Sequence, residues 1–266
     1  MASSSVTEAD PSSAAKTPKD LVKSFEAETG QSIDKEPVFT VPKGGDAEGL
    51  NAFLEKYRPS TMKATAMQFY IWVTVPHRRP KYSGEEQEAM QVTLAKAHQE
   101  LEEMKKACDV IDQDGNIPFR ASKAKGKSKS QRKKDLTSVF AEQRVPALVK
   151  EGGRPLTSGK WLYFKAAEYV DATFGILARS IANGPLSKLE WPAVHTVKAA
   201  LKDDDRPEHM IALYFDDCFN PDAGRAVMEC ILLHHFLPSR AAKSDLYTLL
   251  GIDSKVSESG ASYEKG

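Results

Sequence analysis

Ser158-Gly159-Lys160-Trp161-Leu162-Tyr163-Phe164-Lys165 runs into Ala166-Ala167-Glu168-Tyr169-Val170, and there the chain changes its hydrophobic period. Lys160 to Lys165 is a short aromatic and aliphatic run opened by Ser-Gly, which predicts a strand. Val170, Phe174, Leu177, Ala178 and Ile181 then recur in steps of three and four, so a helix follows. Asn183-Gly184-Pro185 stops it, because glycine tolerates the left-handed exit and proline cannot continue the turn. Trp191 to Lys198 and His209 to Phe215 read as strands joined by a polar turn, hence an antiparallel pair. Asn220 caps a further helix, with Pro221 at its first position and an apolar stripe through Val227, Ile231, Leu233 and Phe236. A last strand is expected near Asp245 to Leu250. Mixed connections of this kind define an α+β domain, a curved antiparallel sheet with long helices on one face.

Towards the amino terminus, Leu50, Phe53, Leu54 and Tyr57 mark a helix that Pro59 ends. Ala66 to Val75 is the clearest strand. Met67, Phe69, Ile71, Val73 and Val75 fall on one face, and Gln68, Tyr70, Trp72 and Thr74 on the other. The second face is amphipathic and suited to line a groove. Ser83 and Glu86 have capping-box spacing, and Met90, Leu94, Ala97, Leu101, Met104, Cys108 and Ile111 draw a single stripe behind them. That predicts a long helix lying across the sheet and stopping at Asp114-Gly115-Asn116. The segment 120–134 reads as a basic linker or long loop, and Asp135 to Lys150 as weakly helical.

Residues 1–42 are expected to form a disordered tail, 43–254 the folded domain and 255–266 a flexible end, since the first stretch in particular has too few apolar side chains to offset the entropy of ordering. The 37 basic and 37 acidic residues cancel, so only their distribution informs. Three cysteines, an odd and sparse set, argue for a reducing compartment, cytoplasm or nucleus. No apolar run reaches membrane-spanning length, and no secretory leader is visible. Gly153 to Trp161 imitates a phosphate loop but spaces its glycines wrongly and runs into a strand. Cys230 and His234 share a helix face at metal-capable spacing, beside Val227 and Ile231, where packing is the simpler account. No motif positions a nucleophile, a base and an oxyanion donor together, and nothing requires a cofactor, so a non-catalytic binding protein is expected.

The Ser158–Phe164 strand and the helix after it resemble the Gly-Lys/Arg-Trp strand and helix of translation initiation factor 4E, the mRNA cap-binding protein. His195-Thr196-Val197-Lys198 and His209-Met210-Ile211-Ala212-Leu213-Tyr214 fit the strand pair that follows in that fold. A closer resemblance, over about Gly49 to Ile252, is to the basophilic-leukaemia-expressed-protein family, which has the same fold. It rests on Phe53-Leu54-Glu55-Lys56-Tyr57-Arg58-Pro59-Ser60 and Lys243-Ser244-Asp245-Leu246-Tyr247-Thr248-Leu249-Leu250-Gly251-Ile252.

The resemblance implies a concave groove in which basic strand residues hold phosphates. Lys160 and Lys198 match basic positions of the cap-binding fold, and Lys202 and Arg206 lie where further phosphate contacts would fall. The two loop tryptophans that sandwich a methylated guanine have no match, because the loop from Pro76 to Gly84 offers only His77 and Tyr82. Trp72, Tyr70, Tyr82 and Trp161 remain as stacking or groove residues, although Trp161 equally suits a core and Lys198 a solvated strand end. Lys123, Lys125, Lys127, Lys129, Arg132, Lys133 and Lys134 could contact a polyanion, serve nuclear import or be a solvated loop. Two functions are therefore expected: binding of RNA or a phosphorylated nucleotide in a basic groove, or a protein-interaction adaptor that keeps the fold without that ligand.

Overall fold

The computed structural model describes residues 36–65, 68–121, 126–202, 207–239 and 241–252. The expected tail before residue 36 and the end after residue 252 lie outside this range, as do Lys123, Lys125 and Arg206. Within it, six strands form one open sheet: β1 (Val38–Thr40), β2 (Tyr70–Thr74), β3 (Gly159–Ala166), β4 (Val194–Ala200), β5 (Glu208–Phe215) and β6 (Ala241–Ser244). Their spatial order is β1-β2-β4-β5-β3-β6, antiparallel at every step except the parallel β1–β2 pair. The fold is thus mixed α and β with a mostly antiparallel sheet. β1 corrects the expected domain boundary: Val38-Phe39-Thr40 is β-branched and aromatic, Val41 is buried behind it, and Phe39 packs on Phe53.

Alternation along the strands sends Ile71, Val73, Val197, Ile211, Leu213 and Trp161 to one face, all buried in a common core. Helix α1 (Ala47–Lys56) contributes Leu50 to it. Helix α5 (Ala167–Ala182) packs on β3, β4 and β5 through Val170, Phe174, Leu177 and Ile181, and helix α6 (Pro221–His235) adds Val227 and Ile231. The Asn220 side chain caps α6 by accepting from the Asp222 amide.

The long helix α2 (Gly84–Gln113) opens with the expected capping box, Glu86 N–H donating to Ser83 Oγ at 3.1 Å and Ser83 N–H to Glu86 Oε2 at 2.8 Å. Its partner differs from the expectation. Ala97 and Leu101 face α4 (Val145–Gly152) rather than the sheet, and with Leu148, Val149 and Phe140 they build a second hydrophobic cluster. Arg144 fixes this pairing by donating to both carboxylate oxygens of Glu100 at 2.6 Å.

Three further expectations are corrected. The basic segment is helical from Lys129, forming α3 (Lys129–Val139), because Ser128 caps the Gln131 amide and Lys129 and Lys133 are held by the Asp112 carbonyl and carboxylate at the end of α2. The final strand ends at Ser244, whose hydroxyl accepts from the Leu246 amide and starts a short helix, α7 (Asp245–Leu249), in place of a strand near Asp245 to Leu250. Finally, β4 begins at Val194, and Trp191 stands outside it, half exposed, before a cis peptide bond to Pro192. Among the described residues, no helix is long and apolar enough to cross a membrane.

Candidate functional site

The face of the sheet turned away from α5 and α6 is organised by register. Trp72, Lys198, Ala212 and Leu162 share one row across β2, β4, β5 and β3. Thr74, Thr196, Tyr214 and Lys160 share the next. Lys198 sits among aromatic rings. Its Nζ is 4.1 Å from the Tyr70 ring centre, 4.8 Å from Trp72 and 5.6 Å from Tyr214. Trp72 and Tyr214 stack with centres 6.3 Å apart, and the Trp72 indole N–H donates to Glu36 Oε2 at 2.6 Å. Each ring therefore offers a face to the ammonium, which is attracted by the ring quadrupole. Among the described residues, no carboxylate lies within ion-pair distance of Lys198. Burial, reinforced by Lys160, pulls its pKa below the ordinary lysine value.

Lys160 stands on the same face with a different environment. Its side chain is only 8% exposed and donates to Asp245 Oδ1 at 2.6 Å and Thr248 Oγ1 at 3.0 Å. It ties β3 to α7, and its charge is matched by Asp245. Above the aromatic cluster, Thr196 Oγ1 accepts from Arg79 at 3.1 Å and lies 3.2 Å from Thr74 Oγ1 and 2.9 Å from His195 Nδ1. His195 occupies an irregularity between β4 and β5. Burial first, then Arg79, push its pKa down to about 4. Its Nε2 is 3.7 Å from Asp216 Oδ1, and burial raises the Asp216 carboxyl to about 6. Burial and Asp216 raise the pKa of the Tyr82 hydroxyl, whereas Arg154 lowers it.

Of the other expected residues, Trp161 belongs to the opposite face, 3% exposed and stacked on Phe215, so it is a core residue and not part of the groove. Lys202 is exposed and bridges to Lys63 through the backbone. Lys127 pairs with Asp135 and Lys133 with Asp112 at 2.7 Å each, so acids outside the basic run neutralise part of it. The structure thus brings Tyr70, Trp72 and Lys198 together, with Tyr214 and Arg79 nearby. Tyr214 was within reach of the sequence: Met210, Ala212 and Tyr214 alternate against Ile211 and Leu213, which places them on the face opposite the core.

A larger cleft of about 940 Å³ opens at the seam of the two hydrophobic clusters, lined by Val149, Phe215, Phe219 and Tyr247 with Lys150 and Arg154 among its polar walls. It contains none of the expected groove residues. Among the described residues, no group of three or more side chains is placed to hold a metal ion.

No curated protein matches the chain. The family model for basophilic leukemia-expressed protein Bles03 matches residues 3–231, a span that takes in Tyr70, Trp72, Lys198 and Tyr214, and the chain therefore belongs to that family.

Proposed function

We propose that the protein is a non-catalytic binding protein of translation initiation factor 4E-like fold, which takes a phosphorylated ligand, RNA or a nucleotide, on the open face of its sheet. The observation that carries this reading is the setting of Lys198. A half-buried ammonium on three aromatic faces, with no carboxylate of the described residues within ion-pair distance, keeps a desolvation cost that an arriving phosphate would offset. Trp72 and Tyr214 give the same place the flat surfaces on which a base can stack, worth roughly 1–3 kcal/mol per base. Arg79 is exposed at the rim and supplies a second cation. The order of strands and helices supports the 4E-like reading, as do the quoted motifs on β3, β4 and β5. The free state of all three cysteines fits a reducing cytoplasm or nucleus.

The adaptor reading draws on a different place. Leu233 and Phe236, 72% and 82% exposed at the end of α6, would suit an apolar protein partner.

Fluorescence titration with methylated cap analogue, GTP and short RNA, at low and moderate salt, separates the two. Quenching that weakens in Lys198→Ala supports the phosphate site. Silence at low salt from a folded sample overturns it and leaves the adaptor.

A further inference from the structure

One row beyond Lys198 on the same face, the sheet opens into an apolar trough of about 410 Å³, with Phe69 and Tyr70 on one side, Phe164 on the other, and Ala200 and Met210 between them. Tyr70 stands at the start of β2, just after Phe69, and Phe164 on β3, three strand spacings away, or roughly 14 Å. Phe164, paired with Met210 of β5 but beyond the β6 pairing that stops at Leu162, is 56% exposed, and Phe69 is 50% exposed. Exposed aromatic rings at a sheet surface are a stacking platform on which single-stranded nucleic acids are held. The charge around the trough agrees: Lys63 and Lys202 are exposed and bridged at its end, Lys198 stands one row above, and the acid lining it is Glu208. Successive rows on one face are about 7 Å apart, roughly twice the 3.4 Å repeat of stacked bases, as for a strand whose bases are splayed.

Resting on the phosphate-site reading above, we infer that the ligand is a single-stranded oligonucleotide of at least two nucleotides. Lys198 holds a phosphate, and the neighbouring base lies in the trough against Phe164 and Tyr70. A mononucleotide engages only the Lys198 end.

The test follows fluorescein-labelled pentaadenylate by anisotropy and GTP by calorimetry, with the full chain and its Phe164→Ala and Lys198→Ala variants. Because Phe164 is exposed, its loss should leave the fold intact, and circular dichroism verifies this. Phe164→Ala should weaken pentaadenylate about tenfold and leave GTP unchanged, whereas Lys198→Ala weakens both. Unchanged pentaadenylate affinity in Phe164→Ala, with Lys198→Ala still impaired, overturns the trough and spares the phosphate site. Indifference of both ligands to Lys198→Ala overturns the phosphate site itself. Pentadeoxyadenylate run in parallel tells which sugar the strand carries, and a Phe164 dependence with either strand supports the inference.

Discussion

Lys160 and Lys198 stand on one face of one sheet with the same charge, and their neighbours divide their roles. Removing Lys160 strands the Asp245 carboxylate, so Lys160→Ala should lower unfolding free energy by about 3 kcal/mol in urea titration. Lys198→Ala removes an ammonium that no carboxylate of the described residues pairs with and should leave the urea midpoint nearly unchanged while anion binding falls. His195 adds a pH dependence. Folded, it stays neutral down to about 4, whereas an unfolded histidine protonates near 6.5. The unfolded chain therefore takes the proton first, and stability falls as pH drops from 6.5 to 4. Asp216 opposes this, since its folded carboxyl protonates at about 6 against 3.8 when unfolded, which favours the fold across that interval. His195→Gln should thus lose less stability than the parent between pH 7 and 4.5; equal losses would remove the buried neutral imidazole from the account. Gly159 is fixed by space: an added Cβ would meet Cys218 Sγ at 2.5 Å and the Lys243 carbonyl at 3.0 Å. Gly159→Ala should cost about 1–3 kcal/mol, read as a lowered melting temperature.

Helices and strands were legible where a local signal ends them. The Ser83–Glu86 box marks the start of α2, and Ser83→Ala should cost about 1 kcal/mol in urea unfolding without altering ligand affinity. The stripe on α2 was equally plain, but a stripe names a buried face and not what buries it. Its partner proved to be α4, whose Val145, Leu148 and Val149 lie some fifty residues away in sequence. Composition misled in the basic segment, because Asp112, which holds α3 in place, lies outside the lysine run, and the Ser128 cap is a single small residue within it. Asp245 to Leu250 misled in the opposite sense, since its apolar residues suit a strand while Ser244 caps a helix. Between α3 and α4, Phe140–Arg144 forms a π-helical turn in which the Val145 amide reaches back to the Phe140 carbonyl. Pro146 explains it: with no amide hydrogen and a ring that crowds the preceding turn, it is accommodated by the wider turn.

At the scale of the molecule, the chain order of β2 to β5 was readable, whereas the placement of β3 between β5 and β6 depends on pairings that no local pattern encodes. The groove was visible only in part for the same reason. Tyr70 and Trp72 lie on one strand, but Tyr214 joins them through β4 and β5. With a formally neutral chain, attraction to polyanions must be local. If Lys198 and Lys202 each meet one phosphate, the logarithm of single-strand affinity should fall against that of salt with a slope of about −1.4, and Lys198→Ala should make it shallower by about 0.7; an unchanged slope would place the phosphates elsewhere. One consequence follows from β1. It covers the outer edge of β2, with the Trp72 amide bound to the Pro37 carbonyl and the Val41 amide to the Thr74 carbonyl. Beneath it lies Tyr70-Ile71-Trp72-Val73-Thr74, five uncharged residues of high strand propensity. A chain trimmed at residue 43 would lay that edge bare as a template for a second copy, so such a fragment should precipitate where one beginning at residue 30 stays in solution.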